Sequence, residues 1–329
     1  MIDGFPTTIG PGIDLPDRMI RRLINWNGRE PLRAWFAELP ERLDRWCQEW
    51  EIELEARELP DTVSIVIFGT SAKVGPVVIK IGPPNDERVA EAAATRAASG
   101  VGMVRMLADD PEIALIMLER LSPGTELANS GQSDVDMTDV VAARIRDFWA
   151  VDKTPEGLIP LERWTRELRE FTPAEHPELP VNLVVQGQAL LEEMLANPLS
   201  RTMLHGDLHH HNILWQDGGG WITIDPKGLV GERGFDVCAW MMNPWGFPNA
   251  SDFLPRANQR LDILARELGE NRLRLAQWCF VFAALNLCWS LDVEHPENLE
   301  GDISILHNMA GLLDDARRRD EDQVTIPSI

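Results

Sequence analysis

Between Leu204 and Asp236 the chain reads LHGDLHHHNILWQDGGGWITIDPKGLVGERGFD, and no other stretch limits the possible folds so sharply. Two apolar runs, Ile213-Leu214-Trp215 and Trp221-Ile222-Thr223-Ile224, flank Gln216-Asp217-Gly218-Gly219-Gly220. Apolar, β-branched and aromatic residues on either side of an Asp-Gly turn predict a β-hairpin. Asn212 stands just before the first strand and Asp225 just after the second. Antiparallel pairing therefore brings Asn212 and Asp225 side by side, and Asp207 begins the loop that enters the same hairpin.

An Asp followed closely by an Asn, with a second Asp beyond a hairpin, is the spacing of a phosphoryl-transfer site. One carboxylate and one amide carbonyl suit Mg²⁺, a hard cation that takes oxygen ligands and keeps waters and phosphate oxygens in its shell. Asn212 and Asp225 are thus the candidate metal ligands, ATP the candidate phosphate source, and Asp207 the candidate catalytic group aimed at an acceptor hydroxyl. The transition state is loose, so positioning and charge neutralisation are expected to carry most of the rate.

HGDLHxxN, a hairpin and then IDPxGLxGERxFD resembles the aminoglycoside phosphotransferase family, most of all its branch of streptomycin 6-phosphotransferases and hydroxyurea kinases. His205-Gly206-Asp207 stands where protein kinases carry His-Arg-Asp, and Asp225-Pro226-Lys227-Gly228 where they carry Asp-Phe-Gly. The resemblance implies an α+β, bilobal, protein-kinase-like fold with a small lobe built on a five-stranded antiparallel sheet and a larger, mainly helical lobe. The implied organisation is an N-terminal arm and helices packing on the small lobe (1–50), a nucleotide-binding lobe (51–118), a hinge (119–122) and a helical catalytic and acceptor-binding lobe (123–329). The resemblance also implies that His205 braces the catalytic loop from below, and that Asp236 supports it and opens a helix.

The hydrophobic pattern agrees with two such lobes. Leu32, Trp35, Phe36, Leu39, Leu43, Trp46 and Trp50 recur at helical spacing, and Pro40 is expected to divide that helix in two. From Glu51 to Ile81 the pattern turns to strands, Ile52–Ala56, Val63–Phe68 and Val77–Ile81, with Val104–Leu107 and Ala114–Leu118 completing five. Lys80 ends an apolar strand, where a kinase lysine reaches the α- and β-phosphates and pairs with a Glu of the next helix. Glu91 and Glu87 both lie on that helix, and the resemblance favours Glu91. Leu118 to Leu121 resembles the family's hinge, where backbone groups at Glu119 and Leu121 would bond adenine or guanine. The turn at Leu59-Pro60-Asp61-Thr62, where a kinase carries its phosphate loop, contains no glycine. A Gly-rich loop lets backbone N–H groups approach phosphates closely, so this chain is expected to use a tighter or different turn with a weaker phosphate clamp.

Beyond Pro123-Gly124 helices dominate the pattern. Leu275–Trp289 is too short and too polar at Gln277 and Asn286 to span a bilayer, and reads as a buried core helix. The tail from Asp320 reads as loose. The N-terminus lacks the basic start and apolar core of a signal peptide. Cys47, Cys238, Cys279 and Cys288 are scattered, without metal spacing, and the chain reads as cytoplasmic. His209, His210 and His211 are adjacent and point different ways, which argues against one shared metal.

With 31 Lys and Arg against 53 Asp and Glu, the net charge is −22. This charge argues against nucleic acid as a partner and favours a small cationic, hydroxylated substrate. Acceptor-pocket candidates are His210, Trp240, Trp289, Asp292 and Glu294, the acidic ones suited to a guanidinium. Lys227 and Arg233 are each placed to meet phosphate or to pair with Glu232. The function expected is a Mg²⁺- and ATP-dependent O-phosphotransferase of an aminoglycoside or aminocyclitol, streptomycin by resemblance. Hydroxyurea or another small hydroxylated metabolite is the alternative acceptor, and a nucleotide-binding pseudoenzyme the alternative class. The absence of an activation segment between Asp225 and Asp236 disfavours a protein kinase.

Overall fold

The computed structural model describes residues 2, 4–9, 13–55, 64–152, 154–172, 176, 179–244, 247–249, 251–291 and 299–324. The small lobe is built on a five-stranded, wholly antiparallel sheet. Its spatial order is Ile52–Leu54, Ile65–Ser71, Gly75–Ile81, Leu115–Glu119, Met106–Asp110. Side chains of a strand alternate between faces, and this alternation sets the positions of the key residues. Val77, Ile79 and Ile81 are fully buried against the N-terminal helices, as are Leu115 and Met117 opposite them. Val78 and Lys80 consequently occupy the other face, toward the helix Asp86–Ala98 and the second lobe.

The N-terminal helices Asp17–Asn27 and Arg29–Trp50 cover the first face, with Leu32, Phe36, Leu39, Leu43 and Trp46 in the same cluster as the sheet. Pro40 does not divide the second helix, contrary to expectation; it lies inside one continuous helix. The missing N–H and the ring clash cost helix stability, but buried residues on both sides of Pro40 hold the element against the sheet.

Helix Asp86–Ala98 begins at Asn85, whose side-chain oxygen accepts the Arg88 backbone N–H at 3.0 Å, with Asp86 and Glu87 in the first turn. That capping satisfies an orphan donor and complements the positive helix end. Ala90, Ala94 and Ala98 are buried and allow the helix to approach closely.

In the larger lobe the helix Arg272–Leu291 is buried along most of its length and packs on Val181–Ala196, with Gly187 against Ala284. Helices Asp134–Trp149, Phe253–Leu268 and Leu299–Val324 pack about this core. The last one corrects the expectation of a loose tail, since helix continues through Asp320 to Val324. No helix among the described residues is long and apolar enough to cross a membrane.

The hairpin forms as Ile213–Gln216 and Gly220–Thr223, in the register Ile213↔Thr223 to Gln216↔Gly220. A third strand, Pro123–Glu126, pairs with Ile213–Gln216, where the sequence pattern predicts helix soon after Pro123-Gly124. Pro123-Gly124-Thr125-Glu126 has no apolar alternation to mark a strand; the hairpin's free edge recruits it. Val104 also differs from expectation. It lies before the strand Met106–Asp110, and its N–H bonds Thr223 O at 3.0 Å while Thr223 N–H bonds Gly102 O at 2.8 Å. Those two bonds tie the segment after helix Asp86–Ala98 to the strand Gly220–Thr223, two residues before Asp225.

Candidate functional site

Three charged groups meet where the two lobes face one another. Lys80 Nζ lies 2.5 Å from Glu91 Oε1 and 3.1 Å from Asp225 Oδ1. Lys80 comes from the central strand, Glu91 from the helix beside it and Asp225 from the end of the hairpin. Glu87, the other candidate carboxylate of that helix, does not make this contact among the described residues. Burial works to lower the lysine's pKa, but Asp225 and Glu91 reverse the effect and raise it, so Lys80 is firmly charged. Burial pushes Asp225 up, yet Lys80 outweighs it and holds the carboxyl below its ordinary range. Asp225 has a positive φ of 58°, a left-handed conformation that Asp tolerates better than most residues. Gly228 follows at φ 65°, and a β-carbon there would collide with the carbonyl of Ala90. The turn after Asp225 can therefore lie directly on the helix that carries Glu91.

The loop from His205 to Asn212 is fastened at both ends. His205 Nε2 donates to Ile224 O at 2.9 Å, while its Nδ1 accepts the Asp207 N–H at 3.3 Å. A single neutral tautomer satisfies both bonds, and burial lowers this histidine's pKa to about 3. Asp236 accepts from Gly206 N at 2.7 Å, His205 N at 3.3 Å and the Trp149 indole at 2.8 Å. It does not cap the short helix Cys238–Met241 that follows, whose first turn has no side-chain cap; its carboxylate faces the loop. Asn212 donates its side-chain N–H to Asp207 O at 2.7 Å, and its backbone O accepts from Ile224 N at 2.9 Å. These bonds fix Asn212 at the mouth of the hairpin that leads to Asp225.

Asp207 lies within reach of two bases, Lys227 Nζ at 3.9 Å from Oδ2 and His209 Nε2 at 3.7 Å from Oδ1. Burial is the largest influence on its carboxyl and, with Asp225 adding to it against Lys227 and Lys80, raises the pKa to about 6. Two nearby carboxyls are thus driven apart, one low and one near neutrality, a pattern that separates acid-base from electrostatic duties.

Other expected residues are placed differently. His210 and Trp240 do not line open space: they are 2% and 0% exposed and stack at 3.9 Å, with Arg260 over the Trp240 ring at 4.5 Å. The apolar core closes over them because Arg260 is itself neutralised by Asp134. Trp289 is half-buried against Trp164 and Phe282. Asp292, Glu294 and the glycine-free turn at 59–62 lie outside the described residues. At the expected hinge, Glu119 N donates to Arg105 O and its carboxylate accepts from Arg105 at 3.0 and 3.1 Å, so the Glu119 N–H and side chain serve the sheet edge. Leu121 N has no hydrogen-bond partner among the described residues. Glu232 pairs with neither Lys227 nor Arg233 among the described residues. Arg274 takes it at 2.6 and 2.7 Å, while Arg233 lies over the Trp149 ring. Arg274 is distant in sequence on a core helix, so no local signal identifies it. A cavity of about 760 Å³ beside Pro255, Arg256 and Arg319 contains none of the residues of this site.

Comparison with known proteins gives this geometry a family. Residues 49–294 match the family model described as aminoglycoside/hydroxyurea antibiotic resistance kinase. The chain is similar to a streptomycin 6-kinase of Streptomyces griseus, 30% identical over 286 residues, covering 85% of this chain and 92% of that protein. It is similar also to a hydroxyurea phosphotransferase of Kitasatospora aureofaciens, 27% identical over 317 residues, covering 92% and 88%. In fold it resembles the ethanolamine kinase of Plasmodium vivax, with a TM-score of 0.60 at 13% identity over 94% of this chain and 99% of that one. The chain belongs to the aminoglycoside/hydroxyurea antibiotic resistance kinases and is an ATP-dependent phosphotransferase of the bilobal kinase-like fold.

Proposed function

We propose that this enzyme moves the γ-phosphate of ATP to a hydroxyl of a small cationic aminocyclitol, with streptomycin the first candidate. The observation that carries the reading is the convergence of Lys80, Glu91 and Asp225 beside the loop that holds Asp207 and Asn212. The 30% identity to a streptomycin 6-kinase over most of both chains supports the acceptor class. The similarity to a hydroxyurea phosphotransferase favours hydroxyurea as the second reading. A cytoplasmic site of action belongs to the same proposal.

Asn212 and Asp225 fit Mg²⁺. They offer one amide oxygen and one ionised carboxylate, a hard oxygen set. Among the described residues no group of three or more His, Cys, Asp or Glu could hold a metal, so phosphate oxygens and waters would complete the shell, as Mg²⁺ prefers. When bound, the ion would offset charge on the β- and γ-phosphates. Lys80, held by Glu91, would meet the α- and β-phosphates. Asp207 would accept a hydrogen bond from the acceptor hydroxyl, orient its oxygen toward the γ-phosphorus and take the proton as the bond forms. Lys227, next to Asp207, would lie toward the transferred group.

The test is ADP release from Mg·ATP with a panel of streptomycin, other aminoglycosides and hydroxyurea. Stimulation by streptomycin alone is the expected result. Stimulation by hydroxyurea alone would replace the acceptor, and stimulation by none would refute both acceptor assignments.

A pH profile gives a second check. The carboxyl of Asp207 must be ionised to take a proton, and its pKa is about 6. We expect kcat/KM to fall on the acid side of about pH 6, since that parameter reports the free enzyme. Asp236 is also raised to about 6, chiefly by burial, so a variant must separate them. Lys227 lowers the Asp207 pKa and is not among the influences on Asp236. Lys227→Met should therefore move the limb to higher pH, and an unmoved limb would assign it to another group.

A further inference from the structure

The glycine-free turn before Ser64 leaves a question of charge. Three phosphates carry several negative charges, and Glu91 and Asp225 already draw on the charge of Lys80. The structure places a second cation at the same end of the sheet. Arg88 lies one helical turn before Glu91, so the two side chains share a face of helix Asp86–Ala98. Its guanidinium crosses to the sheet, where Nη1 donates to Ser64 Oγ at 2.9 Å. Ser64 immediately precedes the strand Ile65–Ser71, and Ile65 pairs with Ile81, so Ser64 lies beside Gly82. A β-carbon at Gly82 would collide with the Arg88 guanidinium. The missing side chain at Gly82 is what admits the arginine to this position.

Arg88, Ser64, Glu91 and Lys227 line one small cavity of about 50 Å³. Whole small-molecule ligands occupy roughly 300–1,000 Å³, so this space takes a part of a ligand, not a nucleoside or an aminocyclitol. Its walls carry two cations, Arg88 and Lys227, a hydroxyl and two carboxylates, Glu87 and Glu91, and Lys227 lies 3.9 Å from Asp207. Glu91, Glu87 and Asp225 are all close enough to act on the Arg88 charge. A planar guanidinium donates two parallel hydrogen bonds to a phosphoryl group, where a lysine provides a point charge.

We infer that Arg88, positioned by Ser64 and admitted by Gly82, binds the terminal phosphates of ATP. The inference rests on the proposed reading of Lys80 and Asp225 as the nucleotide-phosphate site. It assigns Arg88 a binding part in addition to any packing of the helix.

The experiment measures binding of adenosine, AMP, Mg·ADP and a non-hydrolysable Mg·ATP analogue to the full chain by calorimetry. Wild type, Arg88→Met, Arg88→Lys and Ser64→Ala are compared. We expect Arg88→Met to weaken the ATP analogue by about 10–100-fold, the range of a hydrogen bond to a charged group, and to leave adenosine unchanged. Arg88→Lys should restore only part of the loss. Ser64→Ala, which keeps the arginine and the helix intact, should weaken the ATP analogue several-fold with adenosine again unchanged. Equal losses for adenosine and the ATP analogue, or no loss for either, would overturn the inference and leave Arg88 a packing residue. If Arg88→Met does not fold, Ser64→Ala decides by the same comparison. Failure of the wild type to bind the ATP analogue at all would instead refute the phosphate site itself, a separable result.

Discussion

Replacing Asp207 by alanine is expected to lower kcat by about 10²–10⁴-fold, the usual contribution of a positioned general base, while Mg·nucleotide still binds. The expectation of a clean separation comes from how the loop is held. Asn212 bonds the backbone oxygen of Asp207, and His205 accepts its backbone N–H. Neither bond uses the carboxylate, so the loop should keep its shape when the side chain is removed. Loss of a negative charge near the γ-phosphate should leave nucleotide affinity unchanged or slightly tighter. The readouts are single-turnover phosphate transfer and nucleotide binding on the same preparation. Turnover within a few-fold of wild type would remove Asp207 from the mechanism. Loss of nucleotide binding in parallel with turnover would show that the substitution had damaged the loop.

The largest stability effect is expected at Glu232, which touches no proposed substrate. Its carboxylate is 3% exposed and accepts from Arg274 at 2.6 and 2.7 Å, the Trp278 indole at 3.0 Å and Leu199 N at 3.2 Å. Glu232→Ala leaves an arginine buried without its counter-charge, and breaking such a pair costs about 3–5 kcal/mol. Urea unfolding should show a lowered midpoint at an unchanged slope. Arg274→Met in the same chain should recover part of the loss, because the uncompensated charge goes with it. A single-variant loss under about 1 kcal/mol would mean that water reaches Arg274. The effect should extend to the site, since Glu232 leads into Arg233–Val237, the turn that presents Asp236 to the loop of Asp207.

Part of this organisation is legible in the amino-acid order alone. Short-range features are reliable: the hairpin at 213–223, the helix after Asp86, the buried helix from Arg272 and the five small-lobe strands all form. Each rests on local pattern and local hydrogen bonding, which adjacent residues encode. The departures share a cause. Pro40 reads as a breaker from its own chemistry, but packing of Phe36, Leu39, Leu43 and Trp46 on the sheet overrides it. Pro123–Glu126 has no strand pattern and becomes a strand only because the hairpin offers it an edge. His210 and Trp240 suit a pocket by residue type, and the fold buries them under Arg260.

Residue order specifies which groups are present and which lie near one another along the chain: Asp207 with Asn212 on one loop, Asn212 with Asp225 across one hairpin, and Lys80 on a strand opposite its buried neighbours. Strand alternation and hairpin geometry are local rules, and spacing is enough to apply them. Packing of the folded chain brings Glu91 rather than Glu87 to Lys80, adds Asp225 to the trio, and carries Arg88 across to Ser64. Those contacts join elements whose relative placement comes from packing and from links such as Thr223 to Gly102 and Val104, and packing sums many weak contacts that no single stretch of chain encodes.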